Sequence, residues 1–175
     1  MLKTLRQIAS VGIVSEPAPH GDASLRLRDS LQERIRTVLG RALCIRHVDA
    51  GSCNGCELEI HALNNPLYNL EGLGIRFVAS PRHADLLLVT GPVSRHMAVA
   101  LRRTYEAAPA PKLVVAIGEC GCTGGLFGEG YASCGRVSNV IPVDVAVSGC
   151  PPSPTRILEA ILTAIARSPE KSVVP

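Results

Sequence analysis

The chain contains no tryptophan, and its aromatic side chains amount to two phenylalanines and three tyrosines. Readers of single-stranded nucleic acid stack bases on aromatic side chains, and nucleic-acid binders in general carry a strong basic excess. A net charge of +3 over 175 residues supplies neither feature, so nucleic acid is not expected as a partner. Charge of either sign is scarce, at 19% against 46% hydrophobic residues, which is low for a soluble domain. Two readings fit. Part of the surface is covered by partner subunits, or an Ala- and Val-rich core lies behind ordinary polar loops. Long apolar runs are also missing. No window reaches the roughly 18–20 unbroken residues of a membrane-spanning helix. The N-terminal "MLKTLRQIASVGIVSEP" starts basic, but Ser10, Gly12 and Ser15 interrupt its apolar patch and Pro17 ends it. It makes a poor secretory signal and lacks a twin-arginine pair. The expectation is a cytoplasmic protein. Seven cysteines in a reducing compartment are then expected as metal ligands, catalytic groups or buried thiols rather than disulfides.

The length suits one domain with a proper core. Residues 1–24 show no sustained period and read as a flexible N-terminal arm. Residues 25–43 read as an amphipathic helix, with Leu27, Leu31, Ile35, Val38 and Leu39 at helical spacing. Arg26, Arg28, Arg34, Arg36 and Arg41 outnumber Asp29 and Glu33 there. Such a helix can rest on an anionic membrane surface, dock on a partner, or simply pack its stripe on its own core. Residues 44–168 form the main domain, and 169–175 a tail. Strands are expected at 43–48, 75–80, 85–91, 112–118 and 142–149, and helices at 56–63, 95–108 and 155–167. Apolar runs this continuous indicate strands buried on both faces. The expected fold class is therefore α/β, a flavodoxin-like parallel sheet between helices. There is no internal repeat and no low-complexity tract.

In open α/β sheets, ligands collect at the carboxyl ends of the strands. The cysteines follow that rule. Cys53 and Cys56, in "GSCNGCELEI", come after the first strand. Cys120 follows "VVAIGE" and Cys150 follows "DVAVSG". Three loops can thus converge on one point. Four thiolates suit a 4Fe–4S cluster or a structural zinc. A zinc site more often uses two close pairs, whereas here one pair is joined by two distant single cysteines. A redox dithiol needs only "CNGC" and leaves Cys120 and Cys150 without a role. Cluster, zinc and dithiol stay open at this point, with the distributed ligands favouring the cluster. Gly51 and Gly55 permit tight turns that aim N–H groups at sulfur. Pro151 and Pro152 set the chain direction after Cys150 and withhold donors there. In "GECGCTGG" either Cys120 or Cys122 can be the ligand. Cys44, in a strand, and Cys134, in a long loop, read as buried or incidental thiols.

Four blocks, "GSCNGCELEI", "SPRHADLLLVTGPVSR", "AIGECGCTGGLF" and "IPVDVAVSGCPPSP", resemble the small subunit of membrane-bound, energy-converting nickel–iron hydrogenases of the formate hydrogenlyase and hydrogenase-4 types. The homologous 20-kDa or B subunit of respiratory complex I is similar over the same span, about residues 44–165. The resemblance implies one 4Fe–4S cluster on Cys53, Cys56, Cys120 and Cys150. It favours Cys120 over Cys122, where relatives commonly carry a small non-ligand residue. Glu59 matches the acidic residue after the cysteine pair. The resemblance makes it a candidate proton relay or loop-orienting group, while a plain helix-start carboxylate is the other reading. Glu57 is the weaker candidate. Complex I subunits typically carry adjacent cysteines at the first clamp, whereas Cys53-Asn54-Gly55-Cys56 has the hydrogenase-like spacer. The sequence also carries no ferredoxin-like extension and no export signal, as expected of the minimal one-cluster form.

The implied function is electron transfer, without catalysis in this chain, inside a membrane-bound hydrogenase complex. The implied partners are a large subunit with the nickel–iron site, a ferredoxin-like iron–sulfur subunit and integral membrane subunits. The chain is expected on the cytoplasmic, inner face of the membrane through those partners, with the 25–43 helix as a further contact. Two alternatives stand beside it: a complex I-like quinone oxidoreductase subunit of B type without hydrogen chemistry, and a zinc-stabilised assembly protein.

Overall fold

Five apolar segments pair in parallel at the centre of the molecule: β1 (Leu43–Asp49), β2 (Ile75–Phe77), β3 (Leu86–Thr90), β4 (Leu113–Ile117) and β5 (Val145–Val147). The computed structural model describes residues 2–11 and 22–167. The strand order is β2-β1-β3-β4-β5, as in flavodoxin-like sheets. Every residue of β3 is buried, which explains the unbroken "LLLVT" run: a central parallel strand is covered on both faces. Successive side chains part company there. Leu86 and Leu88 join the core on one face, and Leu87 and Val89 the core on the other.

The helices cover both faces. α2 (Asp22–Leu39), α3 (Gly55–Ala62) and α6 (Pro154–Arg167) lie on the first, and α4 (Arg95–Ala107) on the second. α6 buries Ile157, Leu158, Ile161, Ala164 and Ile165, a helical stripe. α2 buries Leu31 and Ile35 in the same cluster. Its stripe therefore packs on the protein's own core, and that decides among the readings open for this helix. It begins at Asp22 and stops at Leu39 rather than running from 25 to 43. Gly40 takes φ +62°, a left-handed value that ends the helix, and donates its N–H to the Arg36 carbonyl at 3.1 Å. Leu43 is already strand.

Other boundaries also differ. β2 stops at Phe77 because Pro81 opens a single 3-10 turn over Pro81–His83. β5 holds only three residues of the expected eight. Asp144 precedes it, and its side chain accepts from the Val114 N–H at 2.7 Å, so the ladder begins with a side chain. Two helices were unforeseen. α5 (Gly118–Thr123) occupies what reads as a glycine-rich loop, and α1 (Leu2–Val11) lies inside the segment expected to be a flexible arm. Leu2, Leu5 and Ala9 recur at i, i+3 and i+7, a period too brief to stand out before Gly12. The remainder of that arm, apart from the first residues of α2, and the 169–175 tail lie outside the described residues.

The sheet register matters most for function. Asp49 pairs with Thr90, Thr90 with Ile117, and Ile117 with Val147. Four strands end in one row, so the loops that follow them rise from one edge.

Candidate metal centre

The loop after β1 is built by Asp49. Its Oδ1 accepts from the N–H groups of Gly51 and Ser52, both at 2.8 Å. Burial alone would raise the Asp49 pKa, but these two donors hold it below the ordinary value. The loop lies hard against the one after β3. A Cβ on Gly91 (φ +79°) would come within 2.5 Å of the Ser52 nitrogen. Asn54 (φ 73°) then turns the chain into α3, which leaves Cys53 exposed and puts half-buried Cys56 in the first helical turn.

β4 is followed directly by Gly118 at φ +85°, where a Cβ would sit 2.6 Å from Cys56 Sγ. α5 starts there and carries Cys120. Beyond α5, Gly125 (φ +54°) passes so close that a Cβ would lie 2.8 Å from Cys120 Sγ. The Glu119 N–H donates to the Gly149 carbonyl at 2.8 Å, which ties this turn to the loop bearing Cys150. Cys150 is exposed, and its bond to Pro151 is cis.

Electrostatics connect the four sulfurs. Burial, and then the neighbouring Glu57, Cys53, Cys120 and Cys150, push the Cys56 thiol up to about 12. Burial followed by Cys150, Cys53 and Glu119 raises Cys120. Cys53, Cys56, Cys120 and Cys150 are therefore within reach of one another's charge. Cys122 is outside this group. Its Sγ faces the Ala116 carbonyl at 3.8 Å, and its rise comes from burial, opposed by the Val147 backbone. Cys44 faces the Ala42 carbonyl at the other end of β1, and Cys134 packs in the second core.

Among the described residues, no three His, Cys, Asp or Glu side chains close around one point tightly enough for a single metal ion. Glycines without a Cβ lie against the sulfurs of Cys56 and Cys120 and leave room beside them for a bound group.

Glu59, the acid singled out from sequence, is half-buried on α3. Glu57 is the one drawn inside. It is 7% exposed, and neither carboxylate oxygen has a hydrogen-bond partner among the described residues. His47 Nε2 lies 3.7 Å from Glu57 Oε1 and 3.1 Å from the hydroxyl of fully buried Thr90. Burial lowers the His47 pKa against the pull of Glu57 and Asp49. This polar cluster behind Cys56 was missed. The available signal was that Glu57 and Ile60 share a face of α3 three residues apart. A second unforeseen feature is apolar and outward. Leu58 on α3, and Leu126, Phe127 and Tyr131 in the loop beyond Gly125, are 61%, 95%, 66% and 99% exposed.

Residues 53–164 match the family described as NADH ubiquinone oxidoreductase, 20 Kd subunit. The chain is 44% identical over 141 residues to the probable membrane-bound hydrogenase subunit mbhJ of Pyrococcus furiosus, covering 79% of this chain and 84% of that one. It is 42% identical over 139 residues to formate hydrogenlyase subunit 7 of Escherichia coli, covering 79% of this chain and 53% of that protein. A chain in the solved structure of the membrane-bound sulfane sulfur reductase, an archaeal respiratory membrane complex, superposes with a TM-score of 0.59 at 35% identity, over 79% of this chain and 72% of that one.

Proposed function

The chain belongs to the family of the 20-kDa subunit of NADH:ubiquinone oxidoreductase, and from that premise we propose that it is the iron–sulfur electron-transfer subunit of a membrane-bound nickel–iron hydrogenase complex. The observation that supports the reading is the pair Gly118 and Gly125, which clear space against the sulfurs of Cys56 and Cys120 at the strand-end edge whose loops also carry Cys53 and Cys150. Cys53, Cys56, Cys120 and Cys150 would hold one 4Fe–4S cluster. When bound, that group supplies one-electron redox chemistry between ferredoxin-like subunits and the nickel–iron site of a large subunit. This chain's residues ligate, position and insulate, and no substrate is transformed on them. Asp49 holds the Cys53 turn through its two N–H donors. Gly118 and Gly125 keep the sulfurs of Cys56 and Cys120 unobstructed. Buried Glu57, with His47 and Thr90 behind it, sets the polarity on the protein side of Cys56. Glu59 stays a candidate proton relay at the partner-facing end.

The exposed Leu58, Leu126, Phe127 and Tyr131 support a large subunit seated over the cysteine edge, because apolar and aromatic side chains there call for cover. No helix among the described residues is long and apolar enough to cross a membrane. Integral membrane subunits would place the chain on the inner, cytoplasmic face. The mbhJ and formate hydrogenlyase relatives, both named for hydrogenase-type complexes, support this assignment.

A second reading, a quinone-linked module without hydrogen chemistry, is favoured by the name of the family itself. The two-residue spacer between Cys53 and Cys56 weighs against it. Metal analysis of the anaerobically purified complex separates the readings. About four irons and four acid-labile sulfides per chain are expected, with nickel in the copurifying large subunit. Iron and sulfide without nickel would favour the quinone module, and one zinc without sulfide would leave an assembly protein. Serine at Cys53, Cys56, Cys120 or Cys150 should abolish the cluster's EPR signal, and Cys122→Ser should keep it. The converse result for Cys120 and Cys122 would reassign the ligand.

A further inference from the structure

α2, α4 and α6 turn their apolar stripes onto the sheet. The described leucines of α1 do not join them: Leu2 and Leu5 are 78% and 64% exposed. Leu2, Leu5 and Ala9 recur along one line of the helix, and Lys3, Arg6 and Ser10 along the line beside it, all of them exposed. An apolar stripe and a cationic stripe thus run side by side. No acidic residue occurs in the chain before Glu16. Helix α2, whose arginines first suggested a membrane surface, has its apolar side committed to the core and carries Asp29 and Glu33 among its exposed residues. The two properties that an interfacial helix needs, free apolar area and uncompensated positive charge, are therefore found on α1.

We propose that α1 lies in the plane of an anionic lipid surface, with Leu2 and Leu5 at the acyl boundary and Lys3 and Arg6 against headgroup phosphates. Charge selects this occupant. A helix with cations and no acid gains about fivefold in binding for each Lys or Arg brought near an anionic bilayer, and gains nothing comparable from a zwitterionic one. The exposed leucines add the apolar term that makes contact with the bilayer rather than with its counterions alone. The chain would then contribute its own foothold to the membrane, beyond anything that partner subunits supply. This does not rest on the iron–sulfur assignment.

The test is flotation of the purified full chain with phosphatidylcholine vesicles, with and without phosphatidylglycerol. The full chain is expected to float with the phosphatidylglycerol vesicles and to be released by salt. Leu5→Glu should lower binding at least about tenfold, the loss of one buried leucine's worth of transfer energy. Lys3→Gln and Arg6→Gln should each lower it about fivefold. Leu5 is exposed, so an unchanged circular dichroism melt is expected for Leu5→Glu. A variant with serine at Cys53, Cys56, Cys120 and Cys150 should float like the parent, which separates this result from the fate of the cluster. Equal binding to both vesicle types, no binding, or an unaffected Leu5→Glu variant would overturn the proposal. So would protection of α1 from protease by the membrane subunits in detergent without lipid, because the occupant would then be a protein.

Discussion

Gly118 is the residue on which the site turns. It combines a left-handed φ of +85° with a Cβ position 2.6 Å from Cys56 Sγ. Alanine there would incur about 1–2 kcal/mol of backbone strain and displace the sulfur. Gly118→Ala is expected to lower bound iron and sulfide several-fold while the chain still folds. Gly121, in the same helix, has nothing nearer than 3.7 Å to its Cβ position, so Gly121→Ala should leave both contents near normal. His47 gives the pH response at this scale. Burial holds its pKa below the ordinary 6.5. Between that lowered value and 6.5 the unfolded chain binds a proton that the fold refuses, so stability present above 6.5 is lost as pH falls through the window. The thermal midpoint of the metal-free chain should drop as pH falls below 6.5, and His47→Gln should flatten that drop. The inward turn of Glu57 left only a faint signal in the sequence, its i, i+3 spacing to Ile60, because two acids flank Leu58 and the contact of α3 with the sheet tells them apart.

At the scale of elements, the strands were the legible part. "LLLVT" and "LVVAI" are too apolar for any place but the middle of a covered sheet, and their ends locate Gly91 and Gly118 to the residue. Helix α6 was equally plain from its stripe. α5 was hidden, because "GECGCT" contains two glycines and is only six residues long, a composition that favours a loop. Its helical form matters chemically. Two residues along a helix turn the side chain by about 200°, so Cys120 and Cys122 leave the backbone on opposite sides. In an extended loop they would share one side, which is why "GECGC" alone left the ligand open. α1 was lost for a different reason: ten residues are fewer than three helical turns, and Gly12 ends the pattern before it repeats.

At the scale of the molecule, the low charge content has a counterpart on the surface. Leu126, Phe127 and Tyr131 project from the edge that bears the four thiols. Phe127→Asp and Tyr131→Asp should each weaken capture of the large subunit by about 2 kcal/mol or more, as for aromatic anchors elsewhere, with iron and sulfide content unchanged. Pull-down of the tagged chain followed by metal analysis reads both quantities, and undiminished capture would move the interface elsewhere.

The strand order also imposes a schedule. Cys53 and Cys56 emerge during synthesis just after β1, whereas Cys150 follows β5, which pairs with β4 at the sheet edge and is covered by α6. On the proposed ligation, a growing chain displays a two-thiol chelate long before the other two donors exist. Such a pair will accept any thiophilic ion that diffuses past. Faithful loading then depends on timing: the metal supply must be withheld, or the early pair shielded, until the last strand and helix have closed.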